Sequence, residues 1–150
     1  MNRLPKSLLL IFLTIGFIWL RSGFGKLSSD AFPAALGETL QKFASKNPYP
    51  WYKTFLVKIA IPNSQVFGNL VMWGEVLVAT SITLASLYLL FKKPTLPIKA
   101  VLGLGLIGGA FLNIIFWLAS GWTSPSTDSL NLVMLAVALI GLGSLYKSKA

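Results

Sequence analysis

Four polar side chains stand inside long apolar segments of the sequence: Arg21, Glu75, Asn113 and Asn131. Glu75 is the only acid within any of these segments, and Arg21 could reach it from a neighbouring helix. An ionisable side chain at membrane depth is costly unless it is paired or hydrated, so each one is a hypothesis about function. A buried acid can hold or pass a proton, and amides beside it can bond a carbonyl group. We therefore predict a polar site with Glu75 and Arg21 as its catalytic residues.

The alternative interpretation is that these four side chains only join helices through hydrogen bonds. Such contacts are common between membrane helices and contribute about 0.6 kcal/mol on average in one measured system. They do not require a buried acid, which is why Glu75 favours a functional site. Both interpretations stay open from the sequence.

The composition indicates a chain that contacts lipid. Of its 150 residues 55% are hydrophobic, and 13 Lys and Arg stand against four acids. Because the basic residues mostly flank apolar segments, membrane lipid is the expected partner and nucleic acid is not. The chain contains no Cys and no His, so we expect no metal and no haem, and any redox chemistry belongs to a bound molecule or a partner.

Four segments are long enough to cross a bilayer core of about 30 Å as helices. We predict an all-α membrane protein, a single domain over residues 1–150 that forms a four-transmembrane-helix bundle. The fourth helix is predicted to be the shortest, with Ser126 or Asp128 as its N-cap. The predicted helices cover approximately residues 7–26, 66–91, 98–119 and 129–146.

The distribution of Lys and Arg predicts the orientation. Short segments without any acid lie on one side, and we place them and both termini in the cytoplasm of a prokaryotic plasma or internal membrane. Loop 27–65 is then extracytoplasmic, and its Lys residues are diluted and partly balanced by Asp30 and Glu38. The basic residues of the cytoplasmic segments are Arg3, Lys6, Lys92, Lys93, Lys99, Lys147 and Lys149.

The extracytoplasmic loop is too apolar for a plain linker. Its apolar residues predict two short amphipathic helices on the membrane surface, with the corner at residues 47–50. A role as a simple membrane anchor is an equally open interpretation of the aromatic residues. The first apolar set is Phe32, Leu36, Leu40 and Phe43, and the second is Trp51, Tyr52, Phe55, Leu56 and Ile59.

Small residues on the second and third helices predict which helix faces, and therefore which polar side chains, turn toward the interior of the bundle. Gly68, Met72 and Glu75 share one face of the second helix, and Gly105, Gly109, Asn113 and Trp117 share one face of the third. The pair Gly105-x-x-x-Gly109 favours close helix packing, which would turn Asn113 inward. Gly103 to Gly108 fits the pattern G-x-G-x-x-G, but it lies in a membrane span and follows no strand, so no nucleotide is expected.

Two segments carry a resemblance to a known family. Arg21-Ser-Gly-Phe-Gly-Lys26-Leu27, followed by Gly74-Glu75, resembles the DoxX/DoxD family of small four-helix membrane proteins. Asn47-Pro-Tyr-Pro-Trp-Tyr-Lys53 is similar to the outer loop of the branch that contains the small DoxD subunit of thiosulfate:quinone oxidoreductase. After Glu75, where family members often have glycine, this chain has Val-Leu-Val-Ala-Thr.

The resemblance implies an oxidoreductase function: a membrane subunit, with a second subunit, that delivers electrons from a sulfur compound or another donor to quinone. It carries over Arg21, Gly23, Lys26, Gly74 and Glu75 by motif position. In this interpretation Glu75 passes protons, and the quinone is held by other residues around an apolar cavity. These predicted quinone-binding residues are Lys26, Trp73, Asn113, Trp117 and Asn131.

Two other function classes stay open. The chain could be a non-catalytic anchor or assembly factor that docks a soluble partner through Trp51, Tyr52 and Phe55. A small transporter or proton pathway is suggested by the buried Arg and Glu alone. A homo-oligomer is compatible with each of the three.

Overall fold

The computed structural model describes residues 3–29 and 31–147, which fold into six α-helices and contain no strand. Asp30 and Lys149, which entered the charge prediction, lie outside the described residues. Residues Leu56–Ala60 form a π-helical turn that follows α3 directly. The helices are α1 Lys6–Leu27, α2 Phe32–Ser45, α3 Pro50–Phe55, α4 Ser64–Phe91, α5 Leu96–Ser120 and α6 Pro125–Lys147.

Within the described residues, four helices are long and apolar enough to cross a membrane: α1, α4, α5 and α6. This confirms the predicted all-α membrane bundle. The fourth helix begins earlier than predicted and has 23 residues against 22 for α1, so it is not the shortest. Its N-cap is Ser124, whose Oγ accepts the backbone N–H of Thr127 at 3.1 Å, and not Ser126 or Asp128.

Glycines set the closest approach between α4 and α5. A Cβ atom at Gly105 would lie 2.9 Å from Ile82 Cγ1, and one at Gly109 would lie 3.3 Å from Val78 Cγ1. The structure thus confirms the small-residue contact predicted at these two positions. The main core of the bundle includes Phe12, Ile82 and Leu106, and the side chain of each is at most 1% exposed.

The segment between α1 and α4 covers one end of the bundle, which we call the loop end. It contains helices at the two predicted places, and most of their predicted apolar residues pack against protein where the sequence suggested lipid, whereas Trp51 and Ile59 are exposed. Because the packed residues meet the ends of α4 and α5, they form a second core. Its buried members are Leu36, Leu40, Ala44, Tyr52, Leu56, Ala60 and Ala119.

The corner between α2 and α3 is fixed to the end of α5. Asn47 is buried, and its Nδ2 donates to the Leu118 carbonyl at 3.0 Å and to the Ala119 carbonyl at 3.4 Å. Its Oδ1 accepts the Tyr49 backbone N–H at 3.0 Å. The last carbonyls of a helix have no partner within the helix, so Asn47 satisfies two of them and holds the loop on the bundle.

Candidate functional site

A buried ion pair joins α1 and α4. Glu75 is fully buried, about 16 Å along the axis from the start of α4 at about 1.5 Å per residue. Both of its carboxylate oxygens accept hydrogen bonds from Lys26 Nζ, each at 2.8 Å. The prediction that Arg21 pairs with Glu75 is therefore wrong, because the partner is Lys26.

Close backbone contact brings the two charges together. A Cβ atom at Gly23 would lie 3.2 Å from the backbone nitrogen of Val76, so α1 and α4 nearly touch beside Glu75. Lys26 stands one turn beyond Gly23, on the same face of α1. Its Nζ also donates to Ser22 Oγ at 2.8 Å and lies 5.3 Å from the centre of the Phe32 ring. These partners fix the ammonium group in one position.

Arg21 points away from this site. It is exposed and, in the part of the chain that the structure describes, forms no ion pair. Five residues separate it from Lys26, which rotates the side chain about 140° around the helix axis. The two basic residues therefore cannot share the face of α1 that contacts α4.

Asn113 is buried at 1% exposure, and its Nδ2 donates to the carbonyl of Gly109 at 2.8 Å within α5. Its Oδ1 has no hydrogen-bond partner among the described residues, and neither has the buried Nε1 of Trp19. The Trp19 nitrogen lies 3.6 Å from where a Cβ of Gly109 would be. An unsatisfied donor and an unsatisfied acceptor thus lie near the same turn of α5, inside the bundle.

A cavity of about 530 Å³ lies between the loop helices and the ends of α4, α5 and α6. We call it the loop-end cavity. Its walls are mainly apolar and include six phenylalanines: Phe32, Phe43, Phe55, Phe67, Phe111 and Phe116. Its polar lining residues are Lys26, Thr39, Tyr52, Ser120, Thr127 and Asn131. The ion pair therefore adjoins the cavity through Lys26, with Glu75 buried behind it.

Tyr52 lines the loop-end cavity, whereas the sequence predicted it on an amphipathic face or, in the anchor interpretation, as a contact for a soluble partner. Its hydroxyl donates to the Ile115 carbonyl at 3.0 Å, which ties α3 to α5. Burial raises the pKa of Tyr52 to about 12, so its hydroxyl keeps the proton at neutral pH. The signal that could have found it is the compact Asn-Pro-Tyr-Pro-Trp-Tyr run, which forces a sharp corner before the side chain.

The other three predicted quinone-binding residues, Asn131, Trp73 and Trp117, lie in different parts of the bundle. Asn131 lines the loop-end cavity, and its Nδ2 donates to the Thr127 carbonyl at 2.8 Å. Trp73 is 52% exposed on the outer face of α4, so it does not wall a cavity. Trp117 lies outside the loop-end cavity, and its indole N–H donates to Asp128 Oδ1 at 2.6 Å. Of the predicted site residues, only Lys26 and Asn131 line the loop-end cavity among the described residues, and Glu75 adjoins it through Lys26.

No known family, curated protein or solved structure matches this sequence or its fold. The resemblance to the DoxX/DoxD family rests on the short motifs of the chain itself and stays a prediction. What the geometry provides is an apolar cavity with a few hydrogen-bonding groups and a neutralised acid–base pair beside it. Such a site suits a largely apolar small molecule with one or two polar atoms.

Proposed function

We propose that this chain is the membrane subunit of a quinone-linked redox complex and binds quinone in the loop-end cavity. The observation that carries the proposal is the contact of an aromatic-walled cavity of about 530 Å³ with the buried Lys26–Glu75 pair. The motif resemblance to the DoxX/DoxD family supports the same function.

The lining residues suit a quinone ring. Small-molecule sites usually enclose about 300–1,000 Å³ and are mostly apolar, as this cavity is. Phenylalanine rings can pack on the flat ring of a quinone. Asn131 uses one amide hydrogen for the Thr127 carbonyl, which leaves a second hydrogen for a quinone oxygen. The hydroxyls of Ser120 and Thr39 lie on the same lining.

Bound quinone would supply the capacity to accept electrons together with protons. In this proposal the Glu75 carboxylate accepts a proton and passes it toward the cavity, and the Lys26 ammonium, which donates to both of its oxygens, stabilises the carboxylate once that proton has left. The second core of the loop helices excludes water from the apolar side of the cavity. Because the chain has no Cys and no His, the electrons come from a second subunit that carries its own redox group.

A cavity-filling variant tests where quinone binds. Thr39→Phe places a ring in the loop-end cavity, whereas Thr54→Phe adds the same ring at an exposed position of α3. Each protein is purified from quinone-containing membranes in mild detergent, and the extracted quinone is measured by mass spectrometry. We expect quinone with the wild type and with Thr54→Phe, and a loss of at least about tenfold with Thr39→Phe. Equal amounts in the two variants would contradict the proposed site.

The proton role is tested separately with Glu75→Gln, which keeps the shape of the side chain. In the assembled complex, this variant should retain quinone but reduce it at least about a hundredfold more slowly, a typical contribution of a positioned acid or base. Normal quinone reduction by Glu75→Gln would remove the proton role and leave the binding site untouched.

We further propose that both termini lie in the cytoplasm and that the loop end is extracytoplasmic. Arg3, Lys6, Lys92, Lys93 and Lys147 lie at the end of the bundle opposite the loop end, next to short connections. This distribution agrees with the positive-inside rule. A C-terminal fluorescent-protein fusion should fluoresce and a C-terminal alkaline phosphatase fusion should be inactive; the reverse pattern would invert the orientation.

The second candidate function is a non-catalytic anchor for a soluble partner. Of the three aromatic residues predicted to contact that partner, only one can be substituted without damage to the second core. Tyr52 is buried and Phe55 is half-buried, so their substitution would damage the second core. Trp51 is 63% exposed and remains the aromatic side chain of α3 that a partner could contact. If Trp51→Ser released a co-purifying subunit, and neither protein contained quinone, the anchor function would be favoured.

A further inference from the structure

A second, smaller cavity opens at the loop end, where α5 passes into α6. Its volume is about 410 Å³, and the residues that line it include Tyr49, Trp117, Trp122 and Asp128. We call these four residues the aromatic cage. None of the described residues lines both this cavity and the loop-end cavity, so the cage is a separate site.

Each ring of the cage is held by a hydrogen bond or a packing contact. The indole N–H of Trp117 donates to Asp128 Oδ1 at 2.6 Å, and that of Trp122 donates to the Ala119 carbonyl at 3.0 Å. Tyr49 follows the corner that Asn47 fixes, and its ring centre lies 5.7 Å from that of Trp117. Because the rings are already fixed, a ligand would not have to order them on binding.

The carboxylate of the cage has no cationic partner. In the described residues Asp128 takes part in no ion pair, and no Lys or Arg lines this cavity. This is unusual in a chain that has 13 basic residues and only four acids. The Trp117 hydrogen bond orients the carboxylate but brings no full positive charge.

Aromatic faces and a carboxylate together recognise one class of ligand. The face of an aromatic ring attracts a cation, and cages of such rings bind alkylated ammonium groups, which shed water more readily than small metal ions. The carboxylate adds the opposite charge and disfavours anions. The cage also lies at the ends of α5 and α6, where spanning helices reach the lipid headgroups.

We propose that the aromatic cage binds an organic ammonium group, either on a free small molecule or on a lipid headgroup. The site requires neither quinone nor the Lys26–Glu75 pair. Its success or failure is therefore independent of the proposed redox function.

The probe is tetramethylammonium chloride, added to the full chain in a maltoside detergent, with sodium chloride at equal concentration as the reference. Binding is followed by saturation-transfer NMR of the methyl protons. The test variant is Asp128→Asn, which keeps an oxygen for the Trp117 indole and removes the charge. The matched control is Glu38→Gln, which removes the charge of an exposed acid on α2.

We expect saturable binding to the wild type and to Glu38→Gln, and binding to Asp128→Asn that is weaker by about two- to fivefold, as for a part-exposed ion pair. Trp122→Leu should weaken binding similarly, whereas Trp51→Leu, at an exposed position of α3, should not. Absence of saturable binding, or equal affinity of Asp128→Asn and Glu38→Gln, would overturn the proposal.

Lipid composition distinguishes the two sources of the ammonium group. The same titration is repeated in nanodiscs of phosphatidylcholine and of digalactosyldiacylglycerol, which has no ammonium group and, like phosphatidylcholine, no net charge, so that neither surface concentrates the cation. A lower apparent affinity for tetramethylammonium in phosphatidylcholine supports the cage and assigns the ligand to a lipid headgroup. Equal affinities in the two lipids support the cage and assign the ligand to a free organic cation.

Discussion

The Lys26–Glu75 pair provides the sharpest test of the structure, through a double-mutant cycle. The variants are Lys26→Met, Glu75→Met and the double variant, each replacing a charged side chain by an apolar one of similar length. The two single variants are not equivalent, because Glu75 is fully buried whereas the Lys26 side chain is 23% exposed. We therefore expect the loss in the free energy of unfolding to depend on which of the two charges remains in each variant.

Lys26→Met leaves the carboxylate of Glu75 without its cation, and removing one partner of a buried pair costs about 3–5 kcal/mol. Glu75→Met leaves an ammonium group near the end of α1 that keeps Ser22 as acceptor and can move toward water. Its cost should be smaller, about 1–3 kcal/mol, as for the loss of hydrogen bonds to a charged group. The double variant leaves neither charge of this pair and should lie within about 1 kcal/mol of the wild type.

The free energy of unfolding can be measured in mixed micelles by titration with a denaturing detergent, using the fluorescence of the five tryptophans. Lys58→Met is the matched control, since Lys58 is exposed on the π-helical turn and should change stability by less than about 0.5 kcal/mol. The reasoning would be refuted if the double variant lost as much stability as the two single variants together. A cost of Lys26→Met near that of Lys58→Met would equally refute it.

Three further predictions concern the elements that build the site. Gly23→Ala should lower the melting temperature because its Cβ would meet the Val76 backbone, while Gly25→Ala, with no atom within 4 Å, should raise it slightly. Asn47→Ala should lower the free energy of unfolding by about 1–3 kcal/mol by removing the side-chain donor to the Leu118 carbonyl of α5, and denaturant titration should show no such loss for Gln41→Ala, at an exposed position of α2. Because the pKa of Tyr52 rises from 10.0 to about 12 on folding, its contribution to stability is complete below pH 10 and is lost as the pH rises to about 12; Tyr52→Phe should lack this loss in melting curves across that range.

The membrane helices follow from local sequence because each has to satisfy its backbone hydrogen bonds internally and present apolar side chains to lipid. Length and hydropathy therefore predicted all four to within a few residues at most ends. The start of α6 was missed by four residues, since Ser124, Ser126 and Asp128 are all competent caps. Only the position of Pro125 and the bond from Ser124 to Thr127 select the first of them.

The polar site was predicted in part. Depth along the helix indicated correctly that Glu75 is buried and that Asn113 turns inward, because their faces carry the small residues of the helix contacts. Depth does not give the rotation of α1, so Arg21 was predicted as the partner of Glu75, and Lys26 was predicted only as a quinone-binding residue. The close contact at Gly23 sets that rotation and selects Lys26.

The order of residues along the chain is enough to predict the helical class, the number of long apolar helices and the presence of an acid within one of them. These properties depend on composition and on spacing along one helix. The packed fold was needed to show that Lys26 neutralises Glu75, that the loop helices enclose a cavity, and that Trp117 bonds Asp128 and does not line that cavity. Each of these depends on how one helix is rotated against another, and many weak packing contacts, spread over residues far apart in the chain, fix that rotation.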